Sequence, residues 1–222
     1  MLRTANLGYQ YPGGKLLALP NLELAQASAL VLHGNSGSGK STWLALAAGL
    51  LTATSGHMEV AGQNPALLTA AQRDAWRGRT VGFLPQRLHL SDALNVFDNL
   101  ALAYYAIGAP TDKTQIMRSL DALGVADLAM RLPHAISGGQ AQRVALARSV
   151  LMQPKVILAD EPTASLDDAA AYSAVSLLAQ AAQRCGATLV IATHDTRVEQ
   201  MLPGGLGAKI ATFSTPILDS LL

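Results

Sequence analysis

The hydrophobic positions of this chain fall into two periods. Short uninterrupted apolar runs at Ala29-Leu-Val-Leu32, Val156-Ile-Leu-Ala159 and Thr188-Leu-Val-Ile-Ala192 have the pattern of strands buried on both faces of a parallel sheet. The Ala/Leu-rich stretch Asp168–Arg184, between the last two runs, predicts a helix, and Trp43–Leu51 predicts another after the first run. Residues 112–123 put Ile116, Leu120 and Leu123 on one helical face, with Thr111 or Asp112 able to cap it, and Gly139–Leu151 continues as a helix. Shorter strand-like pieces lie near Tyr9–Tyr11, Leu16–Leu19 and Leu22–Leu24, broken by Pro12-Gly-Gly14 and Pro20. Ser55-Gly56 marks a turn, His57–Val60 alternates into a strand ending at Gly62, and Thr80–Leu84 is a strand stopped by Pro85. These short pieces predict a small antiparallel layer. The strand–helix–strand alternation predicts an α/β fold with a mostly parallel sheet and ligands at the carboxyl ends of its strands. The expected organisation is one domain over 1–222. Its core spans 1–85 and 152–222 and includes the antiparallel layer, and a helical subdomain spans 86–151.

Composition narrows this picture in three ways. Of the 222 residues half are hydrophobic and only 14% charged, against about a quarter in typical soluble domains, so the surface is expected to meet a protein or membrane-protein partner. No apolar run approaches the roughly 18–20 residues needed to cross a bilayer, and the start of the chain lacks a basic region followed by a cleavable apolar segment, so a cytosolic location is expected. The net charge of +1 gives no electrostatic reason to expect nucleic acid as a partner. One cysteine, Cys185, excludes an internal disulfide and a cysteine metal site, and is expected to be a small buried hydrophobe.

The strongest chemical signal is Gly34-Asn-Ser-Gly-Ser-Gly-Lys-Ser41, which fits G-x-x-x-x-G-K-[ST] between a predicted strand and a predicted helix. Gly34, Gly37 and Gly39 let the backbone curl so that the N–H groups of Asn35, Ser36, Ser38 and their neighbours point at one anion, and the helix dipole adds to the attraction. Lys40 is placed to reach the β- and γ-phosphates, the Ser41 hydroxyl to hold Mg²⁺, and Thr42 continues the motif. Asp160-Glu161 follow the run 156–159. Asp160 is suited to the Mg²⁺ shell. Glu161, pointing the other way on an extended backbone, is suited to orient and deprotonate an attacking water. His194, after the run 188–192, is placed to bind the γ-phosphate and that water. Gln86, just past Pro85, can complete the Mg²⁺ shell.

A second anion cradle is written in Ser137-Gly-Gly-Gln140, where a hydroxyl, Gly138 and Gly139 open a helix ahead of Gln140. One triphosphate does not need two helix-N-terminal cradles from one chain. Two copies facing head to tail would place each cradle over the other's γ-phosphate.

Taken in order, the phosphate loop at 34–42, Gln86, Ile136-Ser-Gly-Gly-Gln140, Ala159-Asp-Glu-Pro-Thr163, Ala164-Ser-Leu-Asp167 and Thr193-His-Asp195 make the chain resemble the ATP-binding-cassette (ABC) ATPases over nearly its whole length. The resemblance implies a P-loop NTPase core with a small antiparallel β subdomain and an α-helical signature subdomain. It implies ATP and Mg²⁺ as cofactors, Ser137–Gln140 acting in trans within a homodimer, and Tyr11 stacking on adenine, with Tyr9 as a rival for that role. Asp167 would belong to the loop linking the two active sites. Arg77–Gln86 and Leu158–Thr163 look like the lipoprotein-releasing and macrolide-export group, which includes the cell-division ATPase. That implies a separate transmembrane permease, a peripheral place on the cytoplasmic face of the membrane, and export or lipoprotein release; a force-transmitting or regulatory ATPase without cargo is the alternative. Ile136 in place of leucine, Ala27-Ser28 in place of Gly-Glu, Pro133-His134-Ala135, and the tail from Pro203 depart from the family pattern. The segment 87–107, with Leu88, Leu90, Leu94, Val96, Phe97, Leu100 and Tyr104, is expected to help line the groove that receives the permease.

Overall fold

In the computed structural model, which describes residues 1–164, 166–202 and 208–213, the chain forms two sheets and a helical layer. The first sheet is antiparallel. Its central strand β1 (Leu2–Gln10) is flanked by β2 (Leu16–Ala18) and β3 (Glu23–Leu24), and also pairs with β5 (Ser55–Val60). The second sheet is parallel, in the order β6 (Val81–Leu84), β7 (Val156–Asp160), β8 (Thr188–Thr193), β4 (Ala29–His33) and β9 (Lys209–Thr212). β6 therefore corrects one expectation: it is an edge strand of the parallel sheet, not part of the antiparallel layer. Its pairing with β7, Val81 to Val156 through Leu84 to Ala159, supplies the ladder that the antiparallel layer would otherwise have supplied.

The period-2 alternation of the central strands divides the core. Leu30, Leu32, Val156, Leu158, Val190 and Ala192 face the antiparallel sheet and α1 (Lys40–Ala47), where Trp43, Leu2 and Leu7 are fully buried. Val31, Ile157, Ala159, Leu189 and Ile191 face the other way. They meet α5 (Gly138–Val150) and α6 (Asp168–Cys185), over which α3 (Val96–Ala106) and α4 (Lys113–Asp121) pack. Both faces of the sheet are thus covered, and this is why its strands read as unbroken apolar runs. Asp112, not Thr111, caps α4, accepting from the Gln115 amide at 2.9 Å.

Among the described residues, α2 (Ala70–Thr80) and β9 are two of the elements that lie outside the sequence-based expectations. α2 opens on a capping box in which Thr69 and Gln72 satisfy each other's amides, but its helix is mostly half-exposed and carries no apolar stripe. β9 runs beside β4 and ends with the Phe213 amide donating to the His33 carbonyl at 2.6 Å. Residues 203–207 and 214–222, which hold most of the divergent tail, lie outside the described residues.

Most of the apolar side chains named for the segment 87–107 pack inward. Val96, Leu100 and Tyr104 are buried and Leu88, Leu90 and Phe97 pack against the same core, because α3 must cover α4 and α5. Its exposed apolar side chains are Leu102 and Tyr105 instead. Ala27 sits in the left-handed region at φ +58°, where the family's glycine is free of Cβ strain. Cys185 is half-buried against the core, and burial pushes its thiol pKa up.

Candidate functional site

The strand order β6–β7–β8–β4 sets four chain segments side by side at the carboxyl edge of the sheet. Gln86 follows β6, Asp160 and Glu161 end β7, His194 follows β8, and residues 34–39 follow β4. There Asn35, Ser36, Gly37, Gly39, Lys40, Ser41, Thr42, Gln86, Glu161, His194 and Tyr11 line one open pocket of about 600 Å³. Lys15 and Leu17, from the β1–β2 hairpin, complete its wall. Neither carries a motif that would mark it in the sequence.

The loop itself is shaped for an anion. Gly39 precedes α1 at φ +98° and provides no side-chain cap, so the first amides of the helix remain available. A Cβ there would lie 2.6 Å from Leu17 Cδ2, and one on Gly34 would lie 2.6 Å from the Phe213 carbonyl oxygen. Gly34 is therefore required by close approach to backbone, and Gly39 by its left-handed conformation. Lys40 is buried, and its Nζ donates to the Gly34 and Asn35 carbonyls at 2.7 and 3.0 Å and pairs with Glu161 Oε1 at 3.6 Å. Ser38 lies buried beneath the loop with its hydroxyl oxygen unpartnered.

Glu161 reaches the pocket by a route that periodicity does not reveal. Its φ is +48°, so the strand does not continue extended through it, and alternation is not what aims its carboxylate. A left-handed turn, held by the Glu161 amide donating to the Ala192 carbonyl at 2.8 Å, swings the side chain toward β8. There Oε2 accepts from Thr193 Oγ1 at 3.1 Å and meets His194 Nδ1 at 2.9 Å. A carboxylate only accepts, so Nδ1 carries the proton. Such non-glycine left-handed residues concentrate at functional sites.

Asp160 is less exposed to the pocket. Burial pushes its carboxyl pKa up and the Glu161 charge adds to this, while a hydrogen bond from Ser41 and the Lys40 ammonium pull it down. Its Oδ1 is buried without a hydrogen-bond partner. A buried orphan carboxylate oxygen beside a serine hydroxyl is a donor set that fits a hard divalent cation.

Tyr11 stands at the mouth of the pocket, half exposed, with its hydroxyl 3.0 Å from Thr42 Oγ1 and its ring edge-on to Tyr9 at 4.7 Å. Tyr9 packs against the core instead and does not line the pocket. Truncation of Tyr11 to Ala is expected to weaken nucleotide binding about tenfold, as the loss of one base–aromatic stack, whereas Tyr9→Ala should chiefly lower the melting temperature. Fluorescent-nucleotide titration beside thermal melting checks both.

The second cradle lies elsewhere. Ser137 caps α5 in a box with Gln140, whose Oε1 accepts from the Ser137 amide at 2.9 Å while Ser137 Oγ accepts from the Gln140 amide at 3.3 Å. None of Ser137–Gln140 lines the phosphate-loop pocket. Gly138 and Gly139 are exposed, and a Cβ on either would meet no atom within 4 Å. Their amides, at the first positions of the helix, have no intrahelical acceptor. Asp167 caps α6, accepting from the Ala170 amide at 2.8 Å.

Comparison with known proteins places the chain in a family. The family described as "ABC transporter" matches residues 17–164. The chain is similar to the lipoprotein-releasing system ATP-binding protein LolD 1 of Rhodopirellula baltica, 39% identical over 201 residues covering 88% of each chain. It is also similar to the methionine import ATP-binding protein MetN of Carboxydothermus hydrogenoformans, 36% identical over 89% of this chain and 60% of that one. Among solved structures, a dimeric post-hydrolysis state of the ATP-binding cassette MJ0796 bound to ADP and Pi aligns with a TM-score of 0.83. The two are 28% identical, and the alignment covers 96% of this chain and 94% of that one.

Proposed function

Since this chain belongs to the ABC transporter family and is an ATP-hydrolysing subunit, we propose that two copies close head to tail around two ATP molecules and that closure drives a separate membrane permease. The loop amides and Lys40 neutralise the triphosphate. Glu161 takes the proton from a water whose oxygen attacks the γ-phosphorus as the bond to the bridging oxygen breaks, leaving ADP and phosphate. Ser41, Asp160 and Gln86 would hold Mg²⁺, which would supply charge neutralisation to the triphosphate. With its Nδ1 proton engaged by Glu161, His194 can donate to the γ-phosphate from Nε2 only as the imidazolium, or after releasing Glu161. Tyr11 stacks on the base, and Asp167 stands where the two chains meet.

The observation that carries the two-chain reading is the open face of Gly138 and Gly139. Nothing within the protomer requires glycine there, and glycine in a helix costs roughly 0.5–1 kcal/mol relative to alanine. What needs the space must approach from outside. Gly138→Ala and Gly139→Ala are therefore expected to melt at or above the parent temperature and to bind ATP normally as protomers. They should lose turnover about 10²-fold, the scale of losing a preorganised anion donor. Parent-level turnover in both variants overturns the reading.

The permease-facing surface is read from the exposed apolar side chains of the helical region: Leu102, Tyr105, Met130 and Leu132. No helix among the described residues is long and apolar enough to cross a membrane. The similarity to a lipoprotein-releasing ATP-binding protein over 88% of the chain favours an export or lipoprotein-release permease.

A further inference from the structure

We infer that Arg197 is a positioning residue that ties the end of β8 to the first turn of α6, so that closure of the two-chain site depends on the state of the same chain's pocket. This rests on the two-chain reading above. Arg197 opens α7 (Arg197–Met201) and grips Asp195 with two prongs, Nε to Oδ1 at 2.9 Å and Nη2 to Oδ2 at 2.7 Å. Its third nitrogen, Nη1, binds Asp168. Asp195 directly follows His194, and Asp168 directly follows Asp167, the cap of α6.

The contacts continue inward. Asp195 Oδ2 accepts from Thr163 Oγ1 at 2.9 Å, in the loop that follows Glu161. The Asp195 amide donates to Thr193 Oγ1 at 3.0 Å, and Thr193 Oγ1 donates to Glu161 Oε2 at 3.1 Å. One unbroken set of hydrogen bonds thus joins Glu161 to α6. The Arg197 fork, with help from Thr163, holds the Asp195 carboxyl far below the usual carboxylate range, so this node stays charged across the working pH. Thr163, His194, Asp195 and Arg197 also line an open hollow of about 580 Å³ shared with Gln86.

Stability accounts for the Asp195 arm, whose carboxylate is only 13% exposed, but not for the Asp168 arm. The Asp168 side chain is 87% exposed, and an ion pair so placed contributes little to folding. What it does provide is geometry, because a planar guanidinium can grip one carboxylate bidentately and still reach a second, which a lysine cannot. When a triphosphate claims Lys40 and His194, Glu161 changes partners. The Thr193–Asp195–Arg197 set carries that change to the segment carrying Asp167.

The test uses the full chain carrying Glu161→Gln, with Arg197→Gln or Asp168→Asn added. Nucleotide affinity is read with a fluorescent ATP analogue at protein concentrations that keep protomers apart, and dimerisation by sedimentation at saturating ATP. Both additions are expected to weaken dimerisation about tenfold, with nucleotide affinity unchanged. Asp168→Asn should melt within about 2 °C of the parent, whereas Arg197→Gln, which leaves the mostly buried Asp195 carboxylate without its fork, should melt lower. Asp168→Asn thus separates positioning from stability. Arg197→Lys should recover only part of the loss. Unchanged dimerisation in both variants overturns the inference, and so does an equal loss of nucleotide affinity, which would place Arg197 at its own pocket. A Glu161→Gln parent that stays monomeric with ATP overturns the two-chain reading itself. When that parent dimerises, the two added substitutions decide the role of Arg197 alone.

Discussion

Glu161→Gln is expected to lower ATP turnover by about 10²–10⁴-fold while leaving ATP binding intact, the range contributed by a positioned general base. The replacement is nearly isosteric, and its amide oxygen can still accept from Thr193 Oγ1 at the position Oε2 now holds. What it cannot do is take a proton from water. It also removes the negative charge that pairs with Lys40, so that Lys40 meets the triphosphate without a competitor. The variant should therefore accumulate as an ATP-bound dimer, visible by gel filtration, while phosphate release falls to a trace. Hydrolysis at the parent rate would remove Glu161 from the role of base and leave the pocket without an assigned proton acceptor.

Lys40→Ala acts at the other end of that ion pair and should weaken binding about 10²-fold instead. The ammonium is buried, donates to two loop carbonyls, and is the cation that lines the floor of the phosphate loop. Truncating one partner of a buried, hydrogen-bonded charge pair costs roughly 2–5 kcal/mol, and 3 kcal/mol corresponds to about 10²-fold in affinity. The Gly34 and Asn35 carbonyls and the Glu161 carboxylate lose their shared donor at the same time. The loss should thus appear in titration with a fluorescent nucleotide before any chemistry is measured. The two substitutions touch one ion pair, so their combined effect on binding should fall short of the sum. Near-parent nucleotide affinity in Lys40→Ala would show that the loop amides alone hold the phosphates.

The elements most legible in the sequence are those whose side chains have one environment. β4, β7 and β8 are buried on both faces, and their unbroken apolar runs say so. The phosphate loop is legible because its glycines, lysine and serine occur at fixed spacing between such a strand and a helix. β6 reads as part of the wrong layer because a four-residue strand carries no signal of its partner, and pairing direction is decided only when β7 arrives beside it. α2 escapes notice because the capping signature Thr69-x-x-Gln72 precedes no apolar stripe. For Glu161 the sequence points to the right neighbourhood with the wrong geometry. Periodicity along an extended strand cannot anticipate a left-handed residue whose conformation is held by a hydrogen bond to β8. Arg197 leaves no trace at all, since a lone arginine in a short helix looks like any solvated charge until Asp168 and Asp195 are brought around it.

The Lys40–Glu161 pair has a consequence for how the protein rests. The pair brings a buried ammonium and a carboxylate within 3.6 Å of each other inside the pocket, so their charges largely cancel there. On the mechanism proposed above, a polyphosphate that draws Lys40 away also frees the Glu161 carboxylate to act as base. One displacement would then serve both binding and chemistry, and a ligand of modest charge, such as free phosphate, is poorly matched to bring it about.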